Sequence, residues 1–402
     1  MQPTVDKRAA KLIDAMIAHG LAGTDEHTLL DDLCRGLTSA GVPLLRVVAA
    51  SDVLHPSFEA RMVRWNRDRD VERIELAHSG GSDDSWRRDP FGRLHLSGET
   101  RFRRRLGPDL EPGYSELLER LRDEGATDYA AFRLPVGTSR AFGVIDNIMS
   151  SWTTDRPDGF ADDELDLIER TLPAFGLAIA AAAHVDTART LLATYLGADA
   201  ADRVLKGNIT RGQPETVRAV IWYSDLANFT RIAGEVPRDE LLALLNDYAA
   251  ALVETVEAHG GHVLKFMGDG ILAIFPLDDA AAAAARALDA ARAADRVVAG
   301  ITARRANAGR RTTGFYLALH LGELLYGNFG SERRLDFTVL GPAVNEASRI
   351  SALCRSLDQR IIVSSAFAAQ AGKRRGELVS LGRYALRGVA NPQELLTLEP
   401  QS

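Results

Sequence analysis

The 402-residue sequence has two cysteines, no long apolar run and no excess of positive charge, and each absence excludes a class of protein. Cys34 and Cys354 lie far apart, which argues against a disulfide framework and favours a reducing compartment. No apolar run reaches the roughly 18 residues of a membrane span, and the first residues lack the apolar core of a signal peptide. A formal net charge of −7 disfavours nucleic acid, because binding its phosphate backbone requires a basic surface. We therefore expect a cytoplasmic protein with no membrane span and no nucleic-acid partner.

What is present in residues 1–186 is a mixture of helical and strand patterns. With 46% apolar and 26% charged residues, the chain can form two or three globular domains. The polar stretch Ser79–Gly107 is interpreted as a loop, because it contains Gly, Asp, Arg and Pro. The predicted helices are Asp6–His19, His27–Ser39, Tyr114–Glu124 and Asp162–Ala183, and the predicted strands are Leu44–Ala50, Val71–His78, Tyr129–Pro135 and Ala141–Ser150.

Helices that frame a small antiparallel sheet, with the last helix leading toward the next domain, resemble a GAF-type sensor domain. The resemblance implies an unknown small-molecule or protein regulator for residues 1–186. An α+β dimerisation domain without any ligand is the alternative. Residues 187–213 then have apolar residues at helical spacing, which predicts a helical linker interrupted near Gly197.

Two acidic residues lie where strands of the remaining chain are predicted to end. In Val220–Thr230, an apolar run leads to Asp225 and then to a polar turn, which is typical of a buried strand. In Met267-Gly268-Asp269-Gly270, the glycines indicate a tight hairpin with Asp269 at its tip. Taken singly, each acid is more often a helix cap or a turn residue. If the strand and the hairpin are neighbours, however, the two carboxylates suit Mg²⁺ that substrate phosphates also hold, which predicts chemistry on a nucleotide.

The order of elements in residues 214–402 predicts a fold. An amphipathic helix over Asp239–His259 ends at Gly260-Gly261, and a second helix runs through the alanines that follow the hairpin. The sequence FYLALHLGELLYGNFG is interpreted as two strands around Gly322. The resulting βαββαβ order is that of a ferredoxin-like α+β sheet with its helices on one face.

These motifs, in this order, resemble the class III nucleotidyl cyclases, the family that makes cyclic AMP or cyclic GMP. The resemblance implies that Asp225 and Asp269 hold two Mg²⁺ ions per active site, with Mn²⁺ as the alternative. After a turn at Gly341-Pro342, Asn345 and Arg349 stand four residues apart and so share one face of a helix. They match the family's transition-state pair, in which Asn orients the ribose and Arg offsets charge on the phosphorus.

The resemblance also implies how the purine is chosen. Lys265 and Thr338 correspond to the residues that hydrogen-bond the purine edge. An ammonium group only donates and suits N1 of adenine, whereas a threonine hydroxyl can accept from the adenine amino group. Lys with Thr is the combination of the subclass that contains the bicarbonate-responsive adenylyl cyclases, so ATP is the predicted substrate. A guanylyl cyclase with relaxed base selection is the alternative.

Contacts to the triphosphate are predicted from two further segments. Arg387 takes the place of a phosphate-binding residue that is usually Lys in the family. At Glu323, some members of the family have a phosphate-binding Arg instead, and this chain departs from them. A helix is predicted to begin near Phe229, which would provide backbone N–H donors from Leu226, Ala227, Asn228 and Phe229.

In the family, the metal-binding acids of one subunit face the purine and transition-state residues of the other. This chain contains each set once, which implies a homodimer with shared active sites. The linker at residues 187–213 would pair the subunits and pass on a regulatory movement. The predicted organisation is therefore a GAF-like domain (1–186), a helical linker (187–213) and a cyclase catalytic domain (214–402). A catalytically inactive nucleotide-binding or dimerisation module is the alternative, and the Gly-Gly-acid-acid-Phe signature of diguanylate cyclases is absent.

Overall fold

The computed structural model describes residues 5–78, 84–107, 110, 115–136, 147–212, 214–277 and 279–399. The chain divides into two compact units, Met1–Leu191 and Leu192–Ser402. The helices of the first unit are α1 (Val5–Ala22), α2 (Glu26–Ser39), α3 (Asp84–Arg88), α4 (Pro90–Ser97), α5 (Glu116–Asp123) and α6 (Asp162–Leu196, whose end lies in the second unit), and its strands are β1 (Arg46–Asp52), β2 (Phe58–Asn66), β3 (Arg69–Ala77), β4 (Arg101–Arg105), β5 (Asp128–Pro135) and β6 (Asn147–Thr154).

In the described part of the first unit, the strands form one six-stranded antiparallel sheet in the order β3-β2-β1-β6-β5-β4. One face packs on α1, α2 and α6 through a core that includes Leu33, Trp152 and Phe175. Residues of α4 and α5, among them Leu94 and Leu118, pack on strand β5 in a separate cluster. The arrangement agrees with the predicted helices around an antiparallel sheet, and the GAF-like identity stays a prediction.

The interpretation of Ser79–Gly107 as a loop is wrong, because its described part contains α3, α4 and β4. Its proline and glycine are helix boundaries rather than loop residues: Pro90 begins α4, and Gly98 ends it with a φ of 77°. The arginines of β4 do not by themselves predict a strand. Arg103 donates to the fully buried carboxylate of Asp128 at 2.8 Å, and this pair fixes β4 as a strand.

Strand β2 was not predicted, and it pairs with β1 along the whole length of β1. Strand β6 begins at Asn147, and the first part of the predicted strand Ala141–Ser150 lies outside the described residues, as does Tyr114. The interruption predicted near Gly197 is present: α6 ends at Leu196 and the next helix begins at Ala198, with Gly197 at a φ of 84°.

The second unit contains the chain from Leu192 onward. Its helices are α7 (Ala198–Leu205), α8 (Phe229–Glu235), α9 (Arg238–Ala258), α10 (Ala280–Asn307), α11 (Pro342–Ser356) and α12 (Ser365–Ala368), with a 3₁₀ helix at Gly372–Glu377, and its strands are β7 (Glu215–Leu226), β8 (His262–Met267), β9 (Gly270–Pro276), β10 (Phe315–Ser331), β11 (Arg334–Leu340), β12 (Ile361–Ser364), β13 (Leu378–Tyr384) and β14 (Gln393–Leu398). The described strands form one sheet in the order β13-β14-β12-β10-β7-β9-β8, with β11 paired to β10.

The centre of this sheet, β10-β7-β9-β8, has the ferredoxin-like order that was predicted. Successive residues of β7 point to opposite faces. Trp222 packs with α9 and α10 on one face, and Ile221 packs with α7 and α11 on the other. The two helices of the βαββαβ core therefore share a face, as expected, while α11 covers the opposite face.

Strand β10 is one continuous strand, so the prediction of two strands around Gly322 is wrong. A Cβ atom at Gly322 would lie only 2.4 Å from the Cβ of Ala343 on α11. The glycine is therefore needed for close approach of a helix to the sheet and not for a turn.

Two features of composition can be compared with the structure. Cys34 and Cys354 are both buried and unpaired, one in each unit. Within the residues that the structure describes, no helix is long and apolar enough to cross a membrane.

Candidate active site

Asp225 and Asp269 come together at one edge of the second sheet, as the sequence predicts. Strand β7 runs antiparallel to β9, with Ser224 opposite Ile271. A Cβ atom on Gly270 would lie 3.0 Å from the carbonyl oxygen of Ser224, so the hairpin tip is packed tightly against the end of β7. The backbone N–H of Leu226 donates to Oδ2 of Asp269 at 3.1 Å, which fixes this carboxylate beside β7.

The environment of Asp225 is that of a carboxylate that lacks a counter-ion. Burial and the nearby charge of Asp269 together raise its pKa from 3.8 to about 6. Oδ1 of Asp225 is buried and has no partner within normal hydrogen-bond geometry among the described residues, although the hydroxyl of Ser351 lies close enough to lower its pKa. A buried acceptor without a donor is costly, and a bound cation would satisfy it.

A cavity of about 570 Å³ opens over the two carboxylates. Asp225, Asp269 and the chain that follows β7 form one side of it. Ser351 and Arg355 of α11 also line it, and they stand four residues apart on one helix face. Arg355 is exposed, and none of the described residues forms an ion pair with it. The cavity thus combines two acids with a free cation, a composition suited to a metal–phosphate group.

Of the four backbone N–H groups predicted to bind phosphate, two are already used. Leu226 donates to Asp269, and Ala227 donates to the carbonyl of Gly314 at 2.9 Å. The N–H groups of Asn228 and Phe229 have no acceptor within the described chain, and both residues line the cavity. Asn228 has a φ of 57°, a left-handed conformation that starts α8. The structure therefore narrows the prediction to Asn228 and Phe229.

Asn345 and Arg349 lie on α11 but on a different face from Ser351 and Arg355. At 100° per residue, Asn345 and Ser351 are separated by about 120° around the helix axis. Neither Asn345 nor Arg349 lines the cavity of the carboxylates. The guanidinium of Arg349 lies against Gly388, next to the exposed Arg387, and has no ion-pair partner in the described regions. Within one chain, Arg349 lies near Arg387, and Asp225 lies near Asp269. The two arginines do not reach the cavity of the two acids.

Lys265 and Thr338 lie on β8 and β11, two strands with a side-chain contact between them. Nζ of Lys265 donates to Oδ2 of Asp336 at 2.6 Å. Thr338 is buried and stands two residues beyond Asp336, so both side chains point to the same face of β11. The structure thus places the two predicted purine-reading residues around one ion pair.

Asp336, Ser351 and Arg355 were not identified from the sequence. Each has a positional signal: Asp336 is two residues from Thr338 on a strand, and Arg355 is four residues from Ser351 on a helix. These spacings are informative only when the element type and the facing surface are known.

A comparison with known protein families decides what this unit is. Residues 213–399 match the family model described as the adenylate and guanylate cyclase catalytic domain. This region is a cyclase catalytic domain. The family confirms the predicted type of domain and the cyclase fold, and a cyclic-nucleotide-forming lyase is the activity associated with it. Class III cyclases generally use divalent metals, which agrees with the unpaired oxygen of Asp225.

The curated proteins that are similar to this chain include an adenylate cyclase. An uncharacterised protein of Mycobacterium tuberculosis is 30% identical over 244 residues, which are 59% of this chain and 42% of that protein. The terminal-differentiation-specific adenylate cyclase of Dictyostelium discoideum is 31% identical over 160 residues, which are 39% of this chain and 7% of that protein. The chain thus spans less than half of the length of these curated relatives.

Two solved structures show a similar catalytic domain. The adenylyl cyclase CyaB of P. aeruginosa is 21% identical with a TM-score of 0.43, and covers 48% of this chain and 98% of its own. The guanylyl cyclase Cya2 is 25% identical with a TM-score of 0.41, and covers 46% of this chain and 94% of its own.

Proposed function

We propose that the cyclase domain converts ATP into 3′,5′-cyclic AMP and pyrophosphate. The observation that carries the proposal is the meeting of Asp225 and Asp269 in one cavity, with a buried oxygen of Asp225 left unpaired. The proposed enzyme is a homodimeric adenylate cyclase, in which residues 1–186 regulate residues 214–402 through the helical segment at 187–213.

The carboxylates fit two Mg²⁺ ions, with Mn²⁺ as the alternative metal. Two hard oxygen donors leave most coordination positions open, and substrate phosphate oxygens would fill them. When bound, the ions would lower the pKa of the ribose 3′ hydroxyl and neutralise charge on the leaving pyrophosphate. Asp225 and Asp269 hold the ions, and the hydrogen bond from Leu226 keeps Asp269 in place for this role.

The remaining side chains act on ATP directly. The 3′ oxygen attacks the α-phosphorus, a new O–P bond forms, and the bond to pyrophosphate breaks. Asn345 orients the ribose, and Arg349 offsets negative charge that develops on the phosphorus. The free N–H groups of Asn228 and Phe229 donate to the phosphate oxygens, and Arg387 provides a further cation.

Selection of adenine is assigned to Lys265 and Thr338. The ammonium of Lys265 has three donor hydrogens, so it can stay on Asp336 and still donate to N1 of adenine. Thr338 would accept from the adenine amino group. Guanine has a protonated N1 at the position where the ammonium needs an acceptor, which favours ATP over GTP.

The arrangement of α11 supports a shared site. Its Ser351 face lines the cavity of its own acids, whereas its Asn345 and Arg349 face is directed elsewhere. A second copy of the chain, related by a two-fold axis, would supply the missing set to each cavity. Two equivalent sites per dimer follow from that symmetry.

Product identification tests the reaction. The purified chain is incubated with ATP or GTP and with Mg²⁺ or Mn²⁺, and products are identified by mass spectrometry. We expect cyclic AMP and pyrophosphate from ATP, with at least tenfold less cyclic GMP from GTP. Asp202→Asn, at an exposed acid on α7, is the matched control and should remain active. Equal formation of cyclic AMP and cyclic GMP would show that the enzyme does not select ATP over GTP. If neither nucleotide gave a product, the chain would be a catalytically inactive nucleotide-binding or dimerisation module.

Mixing two inactive variants tests the shared site. Asp225→Ala and Arg349→Ala should each be inactive alone. After mixing and exchange, half of the dimers are mixed and each has one intact site of two, so about a quarter of the native activity should return. If the variants pair, as shown by differently tagged copies, and the mixture stays inactive, the shared-site proposal is wrong.

A further inference from the structure

The first unit contains a cavity of about 540 Å³ on one face of its sheet. Residues of β1 alternate between the two faces: Val47 and Ala49 are fully buried in the core with α1 and α2, whereas Val48 and Ala50 are half-buried and line the cavity. Helix α5 closes part of the other side with Leu117 and Leu121. The cavity is therefore a space between the sheet and a helix.

The middle of the cavity is apolar. Val48, Met62 and Ile74 come from three adjacent strands of the sheet, and Leu121 comes from α5. Apolar side chains that line a space of this volume gain free energy when an apolar group displaces water, at about 25 cal/mol for each Å² buried. The space suits the body of a small organic molecule.

One end of the cavity is basic. Arg46 and Arg64 lie close together on β1 and β2, because Val48 is the partner of Arg64 in the strand register. Arg120 of α5 faces the same end, is exposed, and has no ion-pair partner in the described parts of the chain. Burial lowers the pKa of Arg46, and the charges of Arg64 and Arg120 lower it further, which shows that the three cations are near one another.

Two of the three arginines at this end have an ion-pair partner. Arg46 contacts Glu124 at 3.4 Å, and Arg64 pairs with Glu72. Both glutamates are about half-exposed, at 53% and 42%. Neither glutamate pairs with Arg120, so one of the three guanidinium groups has no ion pair within the described chain. Of the other acids that line the cavity, Asp52 lies at the far end of β1, about 20 Å from Arg46 at the rise of a strand, whereas Glu116 lies one turn of α5 from Arg120 and Asp89 lies at the start of α4.

A buried hydroxyl at the basic end has no partner. Tyr129 lines the cavity, is 1% exposed, and pairs in register with Thr153, which itself is opposite Arg46. Its hydroxyl has no partner within normal hydrogen-bond geometry among the described residues, although the Ser151 hydroxyl, which also lines the cavity, lies close enough to lower the pKa of the phenol. Buried hydroxyl groups in native proteins are nearly always satisfied, so this donor is available to an acceptor atom of a ligand.

We propose that this cavity binds a small organic anion, with its apolar body between β1–β3 and α5 and its acidic group at Arg46, Arg64, Arg120 and the hydroxyl of Tyr129. A carboxylate or a related acid there would accept charge-assisted hydrogen bonds from the guanidinium groups. The chemistry of the lining excludes a bare inorganic anion as the preferred ligand, because the apolar middle would stay empty. This inference concerns the first unit alone and does not depend on the cyclase reaction.

A pair of fluorescent probes that differ by one charge tests the proposal. 1-Anilinonaphthalene-8-sulfonate contains an aromatic body and an anionic group, and N-phenyl-1-naphthylamine has the same body without the anion. The full chain should bind the sulfonate with a stoichiometry of one per chain and at least tenfold more tightly than the neutral probe. Decanoate should displace the sulfonate probe, and decanol at the same concentration should not.

Two variants and one control localise the binding. Arg120→Gln removes the free cation from the exposed side of α5 and should weaken sulfonate binding about tenfold, without a change for the neutral probe. Tyr129→Phe removes only the unpaired hydroxyl and should weaken sulfonate binding several-fold while thermal unfolding is not impaired. Arg122→Gln, on the same helix but paired with Asp123 and absent from the cavity lining, is the matched control and should bind both probes normally.

The outcomes separate the alternatives. Equal affinity for the two probes, or sulfonate binding that neither Arg120→Gln nor Tyr129→Phe weakens, would overturn the proposal and indicate general apolar adsorption. Displacement of the sulfonate by decanol as readily as by decanoate would also overturn it. Because Arg120 is exposed on a helix, its variant should fold, and thermal unfolding checks this directly.

Discussion

The cavity of the first unit and the cavity at Asp225 have similar volumes, about 540 and 570 Å³, but opposite chemistry. The first has an apolar middle with arginines at one end. The second is lined by charged and polar groups around two carboxylates. In the proposed roles, affinity in the first cavity would come from apolar burial and be directed by charge, whereas affinity in the second would depend on charge and on metal. Each cavity therefore favours a different task, stable binding in one and chemistry on phosphate in the other.

The largest expected effects, on turnover and on probe binding, come from two single variants that each remove one charge from one cavity. Asp225→Asn should lower turnover of ATP about a thousandfold, because metal binding loses one of its two carboxylates. It should leave binding of the sulfonate probe unchanged. Arg120→Gln should do the reverse and leave basal turnover unchanged, since Arg120 has no place in the catalytic cavity. Turnover of ATP and binding of the sulfonate probe are measured on the same preparations. If either variant changed both quantities, the two cavities would not be independent.

A smaller effect is expected from the purine-reading pair. Lys265→Glu should lower the ratio of kcat/KM for ATP to that for GTP at least tenfold, because a carboxylate accepts from guanine and cannot donate to adenine N1. Initial rates with both nucleotides measure the ratio. Lys206→Glu, at an exposed lysine that pairs with Asp202, controls for the change in net charge and should keep the native ratio.

Asp336→Asn tests whether Lys265 or its ion-pair partner determines the preference for ATP. The ion pair with Lys265 is partly exposed and contributes at most about 1 kcal/mol, so its loss should reduce the preference for ATP no more than about fivefold. A larger loss than that of Lys265→Glu would show that Asp336, and not Lys265, reads the base.

The smallest effect is on stability without metal. The folded protein holds a proton on Asp225 up to pH 6, whereas the unfolded chain loses it near pH 3.8. Stability contributed by this group is therefore present at low pH and is lost as pH rises from about 4 to 6. In EDTA, Asp225→Asn should raise the free energy of unfolding at pH 7.5 by about 1 kcal/mol, after allowance for solvent screening, and by less at pH 5.

Urea unfolding at the two pH values measures this difference. Added Mg²⁺ should stabilise the native protein more at pH 7.5 than at pH 5, because the ion requires the ionised carboxylate. A gain for Asp225→Asn that is equal at both pH values would show that the charge of Asp225 is not the cause.

The meeting of Asp225 and Asp269 could be predicted from the sequence because the signals of the two elements that carry them are local. An apolar run that ends in Asp225 and a glycine-flanked Asp269 specify a strand end and a hairpin tip without knowledge of the rest. The same local reasoning failed at Gly322 and at Pro90, where the residue's meaning depends on what packs against it. It also gave Asn345 and Arg349 but not Arg355, because the face of α11 that meets the acids is determined by the tertiary structure.

The N-terminal cavity had no signal in the sequence at all. Arg46, Arg64 and Arg120 are separated by long stretches of chain and belong to two strands and a helix. Strand β2, which contributes one of them, was not predicted. Sites assembled from residues that are distant in sequence become visible only when strand register is known.

The glycine at position 322 has a consequence for catalysis although it has no functional group. Because β10 and α11 touch through Gly322 and Ala343, the depth at which that helix sits is determined by a missing methyl group. Adding one carbon there would lift the helix, and with it Asn345 and Arg349, which in the proposed mechanism act on a nucleotide held by another subunit. Selection for turnover would therefore act on a residue that no substrate ever reaches.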